Sequence, residues 1–175
     1  MKKLIFESTI LFLSPLLFIT GLFAQTTLGP FTYYPNPESG AFLGQAIING
    51  IPAVEGDIIA AFDETGVCAG AAELTIFGSD AYINFPIYGN DSTTDEDDGM
   101  DPGENFTLKL WDSSEDTIID YPESFSGWYN NNGSPMDGYD NPLVIYHFSS
   151  GVLLPIITAI TDVPEDQGGW VMVQF

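Results

Sequence analysis

The sequence predicts an all-β fold, an antiparallel β-sandwich of the immunoglobulin-like kind, over residues 25–150. β-Branched and aromatic residues occur in short runs bounded by Gly, Pro, Asn and Asp, which is typical of strands separated by turns. No window carries an apolar stripe at helical spacing that is free of Gly and Pro. Eight short strands with turns at regular intervals fit two sheets that bury their inner faces against each other.

Each predicted strand follows from its own local pattern. The first, at residues 31–34, ends at Pro35, and the second ends at Asn49–Gly50, a pair that predicts a tight hairpin turn. The last presents alternate residues to opposite faces, and we expect His147 within it to be a core or edge residue. The predicted strands cover residues 31–34, 41–48, 57–63, 67–77, 81–88, 105–111, 116–121 and 142–148.

Residues 1–24 have the pattern of a secretory signal peptide. Lys2 and Lys3 supply a positive start, residues 4–23 are mostly apolar, and cleavage is predicted after Ala24. The alternative is a membrane anchor, which is disfavoured because the uninterrupted apolar run is short and contains a proline. We therefore predict an extracellular or cell-surface protein with no membrane segment after cleavage.

The charge of the chain excludes several classes of partner. It has 3 Lys and Arg residues against 25 Asp and Glu residues, a formal net charge of −22. Nucleic acid and anionic membranes would be repelled, because only Lys and Arg neutralise their negative charge. The single cysteine, Cys68, precludes an intramolecular disulfide, and its small apolar neighbours predict that it is buried.

Residues 151–175 differ from the chain before them. An apolar, linker-like stretch begins at Gly151, and two further strands are predicted around residues 158–164 and 170–175. The second of these strands is rich in apolar residues and would leave an unpaired edge, which folded proteins avoid. We therefore expect a linker and the truncated start of a second β-domain that continues beyond Phe175.

Three stretches carry a family resemblance: Gly56–Asp63, Val67–Ala72 and Phe106–Asp112. They resemble a recurrent β-sandwich module of large secreted bacterial multidomain proteins, which are similar to cargo of type IX secretion. Asp162–Gly169 resembles the entry to a fibronectin type III-like domain that commonly follows this module. The resemblance implies a β-sandwich and secretion, but it implies no particular activity, because one fold serves many functions.

The densest group of charges lies at residues 90–104, which hold five Asp and two Glu. Carboxylates this close repel one another unless a cation or solvent compensates their charge. Calcium prefers such oxygen ligands, although Gly99 stands one position too early for an EF-hand loop. We predict either a calcium site or a solvated acidic loop. The ligands would be Asp95, Asp97, Asp101 and Glu104, with Asp91 or Asp98 completing the shell.

A second group of residues, at positions 126–141, places aromatic side chains among amides and carboxylates. A sugar ring needs a flat apolar face with hydrogen-bonding groups at its edge, and this composition supplies both. The alternative is that Trp128 and Tyr129 fold back to cover the end of the sandwich. The predicted glycan platform is Trp128, Tyr129 and Tyr139, and its polar contacts are Asn130, Asn131 and Asp137.

No catalytic motif singles out a nucleophile or a pair of carboxylates, and we predict that the chain is not an enzyme. The first hypothesis is a non-catalytic structural or adhesive module of an extracellular multidomain protein, stabilised by calcium if the acidic loop binds it, with a surface protein as the partner. The second hypothesis is a glycan-binding module attached to a polysaccharide-degrading enzyme. The sequence leaves the oligomeric state open.

Overall fold

The computed structural model describes residues 25–151 together with the backbone of residues 159–162 and 171–174. These residues form thirteen β-strands and no helix, so the predicted all-β fold is confirmed. None of them belongs to a helix that is long and apolar enough to cross a membrane. The strands are β1 (Thr26–Leu28), β2 (Phe31–Tyr33), β3 (Ser39–Ile48), β4 (Ile51–Pro52), β5 (Ile58–Phe62), β6 (Cys68–Glu73), β7 (Thr75–Phe77), β8 (Asp80–Tyr88), β9 (Phe106–Asp112), β10 (Thr117–Phe125), β11 (Ile145–Phe148), β12 (Ala159–Asp162) and β13 (Val171–Gln174).

Two sheets form the body of the domain. The first is antiparallel with strand order β10-β9-β5-β6, and the second has the order β11-β3-β8-β7, with β4 paired to the end of β3. Their inner faces bury one core, in which Phe42 of β3 packs edge-on against Phe106 of β9. Two sheets packed in this way form the sandwich that the strand pattern predicts. The immunoglobulin-like relationship stays a prediction.

The central strand β5 is buried on both of its faces. Ile59 and Ala61 point into the core between the sheets, whereas Ile58 and Ala60 belong to a second cluster beneath the β1–β2 hairpin. That hairpin covers the outer face of the first sheet and contributes the buried ring of Phe31. The continuous apolar run of β5 follows from this double burial, because neither face of the strand meets water.

The two sheets come together at one corner, where β6 approaches β8. Gly70 has no side chain there, and an added Cβ would clash with the carbonyl oxygen of Pro86. A backbone carbonyl cannot yield as the end of a flexible side chain could, so glycine permits this close approach. The small residues of β6 therefore allow the sandwich to close on this side.

The predicted strand at residues 67–77 is wrong in extent, because the structure divides it between the two sheets. β6 ends at Glu73 in the first sheet, and β7 begins at Thr75 in the second. Leu74 between them is buried, and its N–H donates to the carbonyl oxygen of Asp57 at 3.0 Å. A continuous β-forming pattern indicates extended chain, but it does not indicate which sheet each half joins.

The last strand of the sandwich, β11, differs from the antiparallel prediction because it pairs in parallel with β3. It begins at Ile145, three residues later than predicted, since Asn141 holds a turn before it by accepting the N–H of Leu143 at 2.9 Å. The irregular chain before β11 follows the same edge of β3, which is thereby covered. Three N–H groups of β3 donate to carbonyl oxygens of this chain: Ala41 to Ser134, Leu43 to Tyr139 and Gln45 to Val144.

The predicted turn at Asn49–Gly50 is confirmed, and it joins β3 to the short strand β4. Both residues have positive φ, 51° and 84°, as a type I′ turn requires. β1 and β4 are not among the predicted strands, since two or three residues are too few for an alternating pattern. β10 runs on to Phe125, beyond its predicted end, past an irregularity in its pairing with β9.

Two further predictions concern the beginning and end of the sequence. The predicted signal peptide at residues 1–24 lies outside the described residues. Near the other end, β12 and β13 pair antiparallel in the region where two strands are predicted. The membership of this hairpin in a fibronectin type III-like domain stays a prediction.

Candidate functional site

The two sites predicted from the sequence lie side by side at one end of the sandwich, which we call the closed end. Its loops are the acidic loop, residues 89–105, and the aromatic loop, residues 126–144. The N–H of Gly103 donates to the carbonyl oxygen of Trp128 at 2.7 Å, and the N–H of Trp128 donates to the carbonyl oxygen of Glu104 at 2.9 Å. The two loops are therefore parts of one structure.

The acidic loop is anchored at its base by a buried methionine. Met100 is fully buried, and its N–H donates to the carbonyl oxygen of Tyr88 at 2.9 Å. Its own carbonyl oxygen accepts the N–H of Asn90 at 2.9 Å. Gly99 lies so close to the backbone of Gly89 that a side chain there would clash. Gly99 therefore allows the loop to pack against the end of β8.

Two of the predicted metal ligands, Asp91 and Asp98, hold the acidic loop in shape. Asp98 is buried, and its Oδ1 accepts the N–H of Asp91 at 2.8 Å. Oδ1 of Asp91 accepts hydrogen bonds from both the N–H and the hydroxyl of Thr93, at 2.8 and 2.7 Å. Asp side chains commonly make such bonds to the chain two residues on, and these bonds define turns.

Three more predicted ligands tie the acidic loop to itself and to the β5–β6 turn. Asp97 accepts a hydrogen bond from the hydroxyl of Thr65 at 3.1 Å. Oε1 of Glu104 accepts the N–H of Glu64 at 3.2 Å, and its Oε2 accepts the N–H of Asp101 at 2.8 Å. The carboxylates of Asp97 and Glu104 therefore act as acceptors for hydroxyl and backbone donors, and Asp101 takes part through its backbone N–H.

Calcium binding stays a prediction for this loop. Asp95, the remaining predicted ligand, is exposed. Within the part of the chain that the structure describes, no three side chains of Asp, Glu, His or Cys are grouped to hold a metal ion. The internal hydrogen bonds of the loop support the alternative, a solvated acidic loop.

Trp128, the centre of the predicted glycan platform, is fully buried. Its Nε1–H donates to the carbonyl oxygen of Ile87 at 3.1 Å, and its ring fills the space beside Gly89. A buried indole that has satisfied its only donor offers no ring face to a sugar. The alternative, in which Trp128 folds back over the end of the sandwich, describes the observed structure.

The remaining platform residues fasten the aromatic loop. The hydroxyl of Tyr129 accepts the N–H of Asp137 at 2.7 Å. Nδ2 of Asn131 donates to a carbonyl oxygen four residues on at 2.7 Å, and Oδ1 of Asn130 accepts the first N–H of β3 at 3.2 Å. Tyr139 stacks on a core phenylalanine, with ring centroids 5.4 Å apart. Five of the six side chains, and the backbone of Asp137, therefore make contacts inside the protein.

Two buried aspartates that the sequence analysis does not single out hold the ends of β5. Asp57 precedes the strand, and its carboxylate accepts the N–H of Val54 at 2.8 Å and that of Ser113 at 3.0 Å. Asp63 follows the strand, and its Oδ1 accepts the N–H of Val67 at 2.7 Å. Their position could have revealed them, because each directly flanks an apolar strand.

The groups best known for nucleophilic and acid–base chemistry occupy ordinary positions. Cys68 is buried, and burial raises the pKa of its thiol from 9.0 to about 11, so the thiol is protonated at neutral pH. Burial also raises the pKa of Tyr146 to about 12. His147 lies on the edge strand β11 with an exposed side chain. The raised pKa values keep the Cys68 thiol and the Tyr146 phenol in their protonated forms at neutral pH.

The opposite end of the sandwich, which we call the open end, holds a cavity of about 500 Å³. The cavity lies between the β3–β4 turn and the β9–β10 turn, and Ser150 forms part of its wall. Its volume is within the range of about 300–1,000 Å³ that ligand pockets occupy. The sequence analysis does not predict this cavity, since distant parts of the chain form it.

Comparisons with protein-family models, with curated proteins and with solved structures found no match. The resemblance to a module of secreted bacterial proteins therefore stays a prediction. The chemistry of the closed end and of the open end is the basis for assigning a function.

Proposed function

We propose that the chain is a non-catalytic structural or adhesive module of an extracellular or cell-surface protein. The observation that carries this proposal is the structure of the closed end. Acidic and aromatic side chains that could have received a ligand are used there to fold two long loops onto the sandwich. A protein that uses its loops in this way presents a fixed shape to its neighbours, which suits a structural or adhesive role.

The energetics of the closed end support this proposal. Met100, Trp128 and Met136 are fully buried, and complete burial of a large apolar side chain contributes about 1.5–3 kcal/mol. Among the described residues, every buried side-chain nitrogen or oxygen atom has a hydrogen-bond partner. A ligand pocket usually presents a few polar groups that converge on a cavity. At the closed end the side chains of Asp98, Glu104 and Asn130 instead accept backbone N–H groups.

The non-catalytic part of the proposal is supported by the state of the reactive side chains. The thiol of Cys68 is buried and protonated, and the imidazole of His147 is exposed on an edge strand. The buried carboxylates of Asp57 and Asp63 accept backbone N–H groups at both ends of β5. Carboxylates held in this way stabilise turns and are poorly placed to exchange protons with a substrate.

Limited proteolysis of the folded chain tests the structural role of the two loops. Loops longer than about 12–15 residues are usually functional, disordered or internally packed, and only a packed loop resists cleavage. We expect subtilisin to cleave residues 89–105 and 126–144 no faster than the whole domain unfolds. Rapid cleavage inside either loop, while the remaining domain stays folded, would contradict the proposal.

A panel of glycans distinguishes this proposal from the glycan-binding hypothesis. We expect no glycan to bind at the aromatic loop, because Trp128 is buried. If a glycan binds, Asp137→Asn and Glu123→Gln form a matched pair, since each removes one exposed charge and Glu123 lies on β10, outside the loop. Binding that is lost in Asp137→Asn and retained in Glu123→Gln would establish the glycan hypothesis instead.

An export experiment tests the extracellular part of the proposal. Residues 1–24, which carry the predicted signal peptide, are fused to a reporter enzyme that lacks its own signal. We expect the reporter to be exported and cleaved after Ala24. Retention of an uncleaved reporter in the cytoplasm would show that the segment does not direct secretion. A variant with Lys2 and Lys3 changed to Glu serves as the control, because a signal peptide needs its positive start.

A further inference from the structure

The cavity at the open end has an apolar floor. Ile48, Ala53 and Ile119 line it, and the last two are buried. Ile51 and Val54 line the same cavity, yet they remain 62% and 51% exposed. Isolated exposed apolar side chains are ordinary on a soluble protein, whereas neighbouring ones beside a cavity mark an interaction site.

The rim of this cavity carries two carboxylates from the β9–β10 turn, Asp112 and Glu115. Oδ1 of Asp112 accepts the N–H and the hydroxyl of Ser114, at 3.0 and 2.7 Å, and the N–H of Glu115 at 3.2 Å. The other oxygen of Asp112 and the whole carboxylate of Glu115 accept no hydrogen bond from the residues that the structure describes. Both groups therefore retain acceptor capacity for a donor from outside.

The walls of the cavity are fixed by hydrogen bonds between turns. The buried carboxylate of Asp57 joins the β4–β5 connection to the β9–β10 turn, because it accepts the N–H groups of Val54 and Ser113. Two hydrogen bonds join Asn49 and Ser150. Nδ2 of Asn49 donates to Oγ of Ser150 at 2.9 Å, and the N–H of Ser150 donates to Oδ1 of Asn49 at 3.2 Å. A preformed site loses less conformational entropy on binding.

We propose that this cavity binds a segment of a partner protein in which a lysine or arginine stands next to apolar side chains. The apolar side chains cover Ile51 and Val54, and the cation lies between Asp112 and Glu115. Charge complementarity selects this occupant, because a chain with a net charge of −22 attracts cationic segments and repels acidic ones. A neutral apolar segment would desolvate the two carboxylates without pairing them, which is unfavourable.

Isothermal titration calorimetry of the full chain with synthetic peptides tests this proposal. The probe is a capped hexapeptide with two leucines next to a lysine, and the matched peptide has glutamate in place of that lysine. We expect the lysine peptide to bind at least about tenfold more tightly, because its ammonium makes charge-assisted hydrogen bonds to the rim. The measurement is made at low ionic strength and repeated at high salt to reveal the electrostatic part.

Two pairs of variants locate the binding site. Glu115→Gln should weaken binding of the lysine peptide about fivefold to tenfold. Its control is Glu123→Gln, which removes the same charge from an exposed position on β10. This control should change the affinity for the peptide less than about twofold. Ile51→Ser should also weaken binding. Its control is Ile118→Ser, at a similarly exposed isoleucine on β10 that does not line the cavity.

Three results would overturn the proposal. The first is equal affinity of the lysine and glutamate peptides, or no binding of either at about 1 mM. The second is a loss of affinity in Glu123→Gln as large as that in Glu115→Gln, which would indicate a general field effect. The third is unchanged binding in Ile51→Ser. All four changes are at exposed residues, and a thermal melt of each variant checks that it is folded.

Discussion

The closed end and the open end of the sandwich contain similar residues in different structural settings. Each end brings carboxylates next to apolar side chains. At the closed end Trp128 is fully buried, and the buried Asp98 accepts a backbone N–H. At the open end Ile51 and Val54 are exposed, and the carboxylate of Glu115 has no partner among the described residues.

Loop length explains this difference better than composition does. The long loops of the closed end can fold back and bring their own side chains onto the sandwich. Among the residues that the structure describes, the open end is formed by short connections, such as the two-residue turn Asn49–Gly50, which are too short to fold back over the cavity. The same residue types therefore become core at one end and remain available to a partner at the other.

Trp128→Ala at the closed end should change the free energy of unfolding more than any other single replacement proposed for either end. We expect urea unfolding to show a loss of about 3–5 kcal/mol in the free energy of unfolding, because the change leaves a cavity and removes the bond to Ile87. Ile51→Ala at the open end should cost less than about 1 kcal/mol, since that side chain is largely exposed. Similar losses in both variants would mean that the two ends do not differ as described.

The two buried aspartates that flank β5 allow the ends to be compared through the free energy of unfolding. Asp57 lies toward the open end, and Asp63 lies toward the closed end. Asp57→Ala and Asp63→Ala should each reduce the free energy of unfolding by about 1–3 kcal/mol, because buried N–H groups lose their acceptor. We expect the larger loss in Asp57→Ala, since Asp57 joins two turns, whereas Asp63 serves its own turn. Asp140→Ala, at an exposed aspartate, is the control. A larger loss in Asp63→Ala would reverse the expected order.

The thiol of Cys68 reports whether the β1–β2 hairpin stays packed on the first sheet, because Cys68 belongs to the cluster buried beneath that hairpin. Burial raises the pKa of this thiol from 9.0 to about 11, and alkylation requires the thiolate. Iodoacetamide at pH 8 should therefore label the folded chain at least about a hundredfold more slowly than the chain in urea. Equal rates would show that this hairpin opens freely.

The raised pKa of Cys68 also predicts that the free energy of unfolding depends on pH in the alkaline range. The folded state holds the thiol proton more tightly than the unfolded state does. The resulting stabilisation is complete below pH 9.0 and is lost as the pH rises toward about 11. The urea midpoint of the unchanged chain should therefore fall more steeply between pH 9.0 and about 11 than the midpoint of Cys68→Ala. This variant is the control, because it keeps the tyrosines that also titrate at alkaline pH. Parallel curves for the two proteins would argue against the shift.

Of all these changes, added calcium should alter the stability of the chain least. We expect millimolar calcium and magnesium to leave the melting midpoint nearly unchanged relative to EDTA at the same ionic strength, which keeps charge screening equal, because the acidic loop is already held by its own hydrogen bonds. A rise of several degrees that is specific to calcium, and that Asp97→Asn with Asp101→Asn abolishes, would establish the predicted calcium site.

Local sequence patterns were sufficient to predict most strands and the Asn49–Gly50 turn, because alternation and turn residues are local signals. They were insufficient where the outcome depends on distant partners. The division at Leu74 depends on the carbonyl oxygen of Asp57, and the parallel pairing of β11 depends on a free edge of β3. Neither partner is visible in the local pattern.

The residues of the closed end show the same limit. The composition around Trp128 suits both a sugar platform and a folded-back loop, and the sequence analysis leaves both open. In the structure Trp128 is buried and its N–H donates to the carbonyl oxygen of Glu104 in the other loop, whereas glycan binding stays a prediction. The cavity at the open end has no sequence signature, because Ile51, Glu115 and Ser150 meet only in the folded chain.

Amide hydrogen exchange tests the structural role of the closed end most directly. The N–H groups of Trp128 and Met136 donate to backbone carbonyl oxygens at 2.9 and 3.0 Å, and both side chains are fully buried. We expect them to exchange as slowly as the central N–H groups of β3, through global unfolding, and far more slowly than the N–H of Glu115 at the open end. Exchange of the Trp128 and Met136 amides at the rate of Glu115 would contradict the conclusion that the closed end is part of the core.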